Sequence, residues 1–455
     1  MTRDALRGVV LVTIDSLRAD AIARMPTVDA LTDHGTRFTS AFAHGNWTPF
    51  SFPSILGSGP VFTDGTGLGP TTGPTLAETL SDAGVATAGV NAANGFLTEH
   101  WGYDRGFDRF EAFSDGAGFL DTHPTVHGWL QFAGWPLRRG LDALRGEDHR
   151  HAVDTSKLLA VEERARTFLD AVDDRFFLWV HLMDTHTPYV PAPRYVREVT
   201  DGRVGSLGML RAHVRAGLGR SVSDATLDRL RALYDAAALQ VDDAVGRLLE
   251  ELDAQGLREE TLVVLAGDHG EEFMEHGHLA HYPKLYDELV RVPLVIDDPR
   301  GEKQVVETPV GLDSVPATVA DALGVPHQFD GQSVLDAVTD GTPLPADPVV
   351  SVALRGDTVT QQPIPRRLSE GDLLVSARDD RWTYIYHTGT GERELYDRRR
   401  DPGETTDVWD AAHEDRTVER LARATDAHLD RIEAGDGGGS VPDSVAKRLE
   451  TLGYR

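Results

Sequence analysis

Short, mostly apolar runs recur along the chain: GVVLVTI at 8–14, VATAGV at 85–90, FFLWVHL at 176–182, TLVVLAG at 261–267 and VPLVI at 292–296. Between them lie stretches with helical spacing, such as GPTLAETLSDAG and LYDAAALQVDDAVGRLLEELDAQG, the second ending on a Gly where a C-cap belongs. Continuously apolar strands alternating with helices predict an α/β fold: an α/β/α sandwich around a large, mostly parallel central sheet. After about residue 345 the texture changes. LLVSARDDRWTYIYHTGTGERELYDRRRDPGE reads as short hairpin-like strands, so 346–410 is expected to be a small C-terminal antiparallel subdomain and 411–455 a helical tail. The tail is broken by AGDGGGSVPDS before a final VAKRLETLGYR helix. Residues 1–345 then form the main domain, with 115–155, rich in His, Trp, Gly and Arg, as an insertion or cap.

Composition narrows the class. A chain of 455 residues, 40% hydrophobic and with mean hydropathy −0.30, is that of a globular protein. No run approaches the ~18 apolar residues of a membrane span, and the start, MTRDALRGVVLVTID, reads as core structure and not as a signal peptide. A cytoplasmic location is expected. The 73 acidic residues against 45 basic give a net charge of −28, and Lys occurs only at 157, 284, 303 and 447. An acidic, lysine-poor surface holds hydrated cations and suits a salt-rich, halophile-like cytosol. It also argues against nucleic acid as a partner, because phosphate backbones need basic patches. Without cysteine there is no disulfide, thiolate ligand or thiol nucleophile.

In an open parallel sheet, ligands bind beyond the carboxyl ends of the strands. VVLVTID delivers Asp15 there, and TLVVLAGDHG delivers Asp268 and His269. An acid after a strand is as readily a helix cap. An Asp-His pair followed by Gly-Glu-Glu is rarer, and two carboxylates with one imidazole suit a hard or borderline divalent ion. Histidines form a second group: HLMDTHTPY places His181 and His186 at one strand end, and FMEHGHLAHYPKLYDE adds His276, His278, His281 and Lys284. Any one alone reads as a surface or packing residue. Together they offer what holds a tetrahedral anion and protonates a leaving alkoxide.

These motifs resemble the sulfatase family of the alkaline phosphatase superfamily nearly end to end. The likeness rests on VLVTIDSLRAD, GYDRGFDRFEAF at 102–113, FFLWVHLMDTHTPY, LQVDDAVGRLLEEL, LVVLAGDHGEEFMEHG, LYDELVRVPLVI, ELYDRRRDPGET and LETLGYR. It implies an α/β/α sandwich with a smaller C-terminal sheet and a divalent metal, Ca, Mg, Mn or Zn, held by Asp15, Asp268 and His269. It also implies hydrolysis or transfer of sulfate or phosphate esters through a covalent intermediate on a metal-bound hydroxyl. The substrate is then a small-molecule, glycan or lipid ester, with His186, His281 and Lys284 as candidate anion-binding and proton-donating residues.

HGNWTPFSFPSIL at 44–56 holds the hydroxyls Thr48, Ser51 and Ser54, two prolines and no helix-period face. The family's nucleophile motif is Cys or Ser, any residue, Pro, Ser, Arg, followed by small and apolar residues. Placing Ser51 first matches SFPS, but the apolar tail then comes three residues early. Placing Thr48 first, so that it also becomes a metal ligand, aligns Ser51, Ser54, Ile55 and Leu56 without a gap. Thr48 is favoured and Ser51 retained. A Thr cannot become the formylglycine of typical sulfatases, and the motif Arg is replaced by Phe52 or Ile55. Ser16 stands where many members have a second Asp, and Asn91 and Asn94 stand near the family's Lys-x-His. A second metal on Asp184, His186 or His281 is compatible with the spacing. The readings left open are an ester hydrolase, a phosphoryl-group transferase or phosphodiesterase of surface glycan or lipid metabolism, and a catalytically idle metal-binding homologue. The retained Asp15, Asp268 and His269 argue against the last.

Overall fold

The structure, a computed structural model, describes residues 5–113 apart from 58, 64–67 and 71, then 156–200, 211, 215, 222–355 apart from 282, and 372–435. The expected cap at 115–155 and the final helix lie outside the described residues. Fifteen strands are described: β1 (Gly8–Ile14), β2 (Thr36–Phe42), β3 (Ala86–Asn91), β4 (Arg109–Ala112), β5 (Phe176–Leu182), β6 (Thr261–Gly267), β7 (Glu272–Phe273), β8 (Leu279–Ala280), β9 (Arg291–Asp297), β10 (Gln304–Val306), β11 (Val310–Gly311), β12 (Val349–Arg355), β13 (Asp372–Arg378), β14 (Trp382–His387) and β15 (Arg393–Asp397). Nine of them form one sheet in the order β10-β2-β9-β6-β1-β5-β3-β4, with β11 also on β2. All its pairings are parallel except those of β9, which runs against both β2 and β6.

The period-2 pleat explains the apolar runs. Val10, Val12 and Ile14 face one core with Leu178, Val180, Val263 and Leu265. Val9 and Leu11 face the other with Phe177, Trp179, Leu262 and Val264. With both faces covered, nearly every position is apolar, and each fully buried apolar side chain contributes about 1.5–3 kcal/mol. The first core is closed by the helix Asp224–Ala254, whose Leu230, Leu233, Tyr234, Ala237, Val241, Ala244 and Val245 are buried at three- and four-residue steps. Gln255 caps it and Gly256 follows at φ +68°, so the expected terminal Gly takes the left-handed conformation. The opposite face is covered by helices Leu76–Asp82, Ser314–Ala322 and Leu335–Asp340.

Thr75 and Glu78 form a reciprocal capping box at the start of Leu76–Asp82. Arg105 donates to both Glu78 carboxylate oxygens, at 3.1 and 2.8 Å. Gly106, at φ +83°, lies so close to this turn that a Cβ would overlap the Glu78 backbone nitrogen. Gly106→Ala is therefore expected to cost about 2–4 kcal/mol in urea unfolding, from strain and overlap together. β12–β15 form a separate four-stranded antiparallel sheet in sequence order. The helix Arg416–Gly435 packs on that sheet. Among the described residues no helix is long and apolar enough to cross a membrane.

Candidate active site

In register, Ile14 pairs with Gly267 on one side and Leu182 on the other, and Asn91 pairs with His181. The carboxyl ends of β1, β3, β5 and β6 therefore share one edge. Asp15 and the Asp268-His269 pair sit there, all fully buried. Asp15 is anchored through its backbone: its N–H donates to Leu182 O at 2.9 Å, and Thr185 Oγ1 donates to its carbonyl at 2.5 Å. Ser16 follows at φ +57°, an uncommon conformation for a residue with a Cβ. Its N–H donates to Asp268 Oδ1 at 3.0 Å and its hydroxyl to Asp15 Oδ1 at 3.0 Å. It thus ties the two carboxylates together and adds no third charge.

β2 leads into the helix Thr48–Leu56, all nine residues of which are buried. Burial on every side removes the amphipathic period, which is why the sequence shows no helical face. Pro49 fits the first turn, where its missing N–H has no partner to lose, while Pro53 forfeits one hydrogen bond. Thr48 opens the helix at its dipole-positive end. Its Oγ1 lies 3.3 Å from Asp15 Oδ2 and 3.4 Å from His269 Nε2. Ser51, nearly one turn on, donates its hydroxyl to the Asp268 backbone carbonyl at 2.5 Å. Ser54 Oγ is buried on the same helix with no hydrogen-bond partner.

His269 Nδ1 lies 2.9 Å from Gly270 O. A carbonyl only accepts, so Nδ1 carries the proton and Nε2 presents its lone pair 3.5 Å from Asp15 Oδ1 and 3.7 Å from Asp268 Oδ2. Burial pushes this imidazole down to about 3, against the pull of Asp15, so it is neutral at physiological pH. Asp268 is driven well above the usual carboxylate range by burial and then by Asp15. Burial acts on Asp15 in the same sense, but His186, His181 and His269 outweigh it and hold Asp15 below that range.

This donor set fits a divalent cation. Asp268 Oδ2 and His181 Nε2 are buried without a hydrogen-bond partner, and one ligand atom each from Asp15, His181 and Asp268 lies within 4.8 Å of the others. Two adjacent carboxylates in a dry site repel unless a cation or a proton sits between them.

A family model described as Sulfatase matches residues 7–325. The chain belongs to the sulfatase family. It is 26% identical over 343 residues to the uncharacterized sulfatase YidJ of Escherichia coli, covering 68% of this chain and 65% of that protein. It is 26% identical over 279 residues to the multifunctional alkaline phosphatase superfamily protein PehA of Trinickia caryophylli, covering 52% and 54%. The chain thus spans less than two thirds of these curated relatives. In fold it resembles a solved protein bound to its substrate D-glucosamine-2-N,6-O-disulfate, with TM-score 0.72, 16% identity and coverage of 96% and 100%. It also resembles a phosphonate monoester hydrolase of Agrobacterium radiobacter, with TM-score 0.68, 20% identity and coverage of 94% and 96%. The sulfatase family is metal-dependent, in keeping with the buried Asp15, His181 and Asp268 group.

The other sulfatase-like positions divide into two sets. His186 and His281 are half-buried with ring centroids 5.1 Å apart, and His281 stands 5.2 Å from the His269 ring. His186 Nδ1 is committed to Thr187 O at 2.6 Å. Lys284 is turned to the small sheet, 3.0 Å from Glu394 Oε1, and His276 to Glu288 at 2.5 Å. Asp184 accepts from Gln240 Nε2.

Of the two asparagines, Asn91 spends its amide on Asn94 O and Leu97 O. Asn94 donates to Asp15 Oδ2 at 2.8 Å and lies 3.4 Å from Thr48 Oγ1. Asn94→Ala is expected to lower kcat about 10- to 100-fold with metal content unchanged, the worth of one hydrogen bond to a charged group. Sequence reasoning did not single out Glu271. It is fully buried, accepts from Tyr189 OH at 2.9 Å, and places Oε2 3.9 Å from His281 Nδ1. The only signal in the sequence was its place two residues after His269.

Proposed function

We propose that the chain hydrolyses sulfate or phosphate esters through a covalent ester on Thr48. The observation that carries this reading is the Thr48 hydroxyl, at a helix N-terminus and within 3.4 Å of both Asp15 and His269, while Ser51 is spent on a backbone carbonyl. A divalent cation held by Asp15, Asp268 and His269, with His181 beside them, would supply Lewis-acid polarisation of the ester and lower the pKa of the hydroxyl.

The residues divide the remaining work. Thr48 Oγ1, its proton released to water, attacks the central phosphorus or sulfur in line. The bond to the ester oxygen breaks, and that oxygen takes a proton from His281 or His186 at the mouth of the site. Asn94 steadies the deprotonated Thr48 oxygen. Water then attacks the Thr48 ester, releasing phosphate or sulfate and restoring the hydroxyl.

Thr48 cannot be converted to an aldehyde, and its alkoxide suits phosphoryl transfer at least as well as sulfuryl transfer, so phosphate mono- and diesters belong in the substrate class. The names of its relatives, a sulfatase and a multifunctional alkaline phosphatase superfamily protein, support the same breadth. In this reading residues 1–345 carry the catalysis, 346–410 the small sheet and 411–455 the helical tail, in a salt-rich cytoplasm. The test is turnover of aryl phosphate, aryl phosphodiester and aryl sulfate with Mg, Mn, Ca or Zn in molar KCl. Turnover of at least one, dependent on metal, is expected. No turnover with any, despite stoichiometric metal, would leave an idle metal-binding homologue.

A further inference from the structure

A second set of ligand-type side chains lies outside the catalytic cluster. One carboxylate oxygen each from Glu272 and Glu288 and one ring nitrogen of His276 lie within 4.8 Å of one another. Glu272 is fully buried. Its Oε1 accepts from the backbone N–H groups of His276 and His278, at 2.9 and 2.8 Å, which fixes the loop around it. Its Oε2 is buried with no hydrogen-bond partner. An unpaired carboxylate oxygen in a dry site is costly, and a second carboxylate nearby makes it more so.

His276 is oriented as a ligand would be. Its ring stacks on Tyr286 with centroids 3.6 Å apart and planes 13° from parallel. Nδ1 lies 2.5 Å from Glu288 Oε1, and Nε2 lies 3.1 Å from the Glu404 carbonyl. That carbonyl can only accept, so Nε2 carries a proton, and Nδ1, hydrogen-bonded to Glu288 Oε1, is the nitrogen that would exchange its proton for a cation. A backbone acceptor opposite a ligating nitrogen is the usual means of holding such a ring in place.

We propose that Glu272, Glu288 and His276 form a second divalent-cation site, structural in role and selective for a borderline ion such as zinc. Two carboxylates and one imidazole are a donor set of that class. The ion would join the β7–β8 hairpin, which carries His276, to the helix Asp287–Val290. Through the His276 bond to Glu404, it would also secure the seam with the C-terminal region.

The test uses the full-length chain, stripped with chelator, reloaded with zinc and desalted before elemental analysis. Wild type is expected to retain about two equivalents per chain, and Glu288→Gln and Asp268→Asn about one each. Thermal melts supply a second readout: zinc should still raise the midpoint of Asp268→Asn, and this rise should vanish in Asp268→Asn/Glu288→Gln. Circular dichroism checks each fold, and His276→Gln replaces Glu288→Gln should the latter misfold. One equivalent in wild type, or two in a folded Glu288→Gln, overturns the site. Loss of zinc from Asp268→Asn alone bears on the catalytic cluster; loss of the zinc-induced rise in that same variant sinks the second site.

Discussion

Thr48→Ala is expected to lower kcat by about 10⁴-fold or more on whichever aryl ester the wild type turns over best, with metal content unchanged. The two halves have separate causes. The rate falls because Thr48 Oγ1 is the hydroxyl placed against both Asp15 Oδ2 and His269 Nε2. The metal stays because Asp15, Asp268 and His269 are anchored by other bonds, to Leu182 O, Ser16 and Gly270 O. Thr48→Ser keeps the oxygen and should retain activity to within about 100-fold, the methyl being the group that fixes the rotamer. Ser51→Ala serves as the control. It removes a hydroxyl bonded to the Asp268 carbonyl, so a loss of about 1 kcal/mol in stability and less than about tenfold in rate is expected. An active Thr48→Ala beside a dead Ser51→Ala would move the nucleophile to Ser51. Rapid quenching with labelled substrate should trap the ester on Thr48 in wild type and on neither residue in Thr48→Ala.

The strands that are buried on both faces were legible because nearly all the residues that occupy them are apolar. β1, β5 and β6 coincide with their runs, residue for residue. β2 was not legible. TRFTSAF lies towards one edge of the sheet with only the short β10 and β11 outside it, so Arg37, Thr39 and Ser40 are only half-buried and polar residues are tolerated there. The helix Thr48–Leu56 was obscured for the opposite reason, since complete burial leaves no polar face to mark a period.

The same logic separates the candidate residues. Asp15, Asp268 and His269 follow directly from strand ends, so their convergence could be read from spacing and a parallel sheet. His281 and Lys284 are three residues apart, and sequence alone could not rank them. What distinguishes them is distant: Lys284 meets Glu394, which Tyr286, Tyr396 and His387 also bind, whereas His281 stacks near Trp47, His186 and His269. Asn94 was one of two asparagines weighed, and only the turn after β3, which consumes the Asn91 amide, decides which of them reaches Asp15.

Asp268→Asn should empty the catalytic site of metal and lower kcat on the order of 10²–10³-fold, because a ligand charge is lost from a buried site where neutral donors cannot replace it. The stability of the metal-free protein should move the other way. Burial and then Asp15 hold the Asp268 carboxyl well above its unfolded value. A carboxyl raised in this way favours folding while it is protonated, and that contribution disappears as pH rises through the folded value. As pH rises through that folded value, the stripped wild type comes to bear two facing carboxylates, one of them with an oxygen that has no partner. Asn has no charge to desolvate at any pH. Urea unfolding in excess chelator should find Asp268→Asn at least as stable as wild type near neutrality, with its advantage growing towards alkaline pH and absent in acid. Metal should reverse the order, stabilising wild type by more than the variant, which keeps only the rise that comes from the Glu272, His276 and Glu288 site. A variant with normal metal content and normal rate would refute Asp268 as a ligand. A stripped variant less stable than stripped wild type would show that the carboxylate stabilises the fold even without an ion.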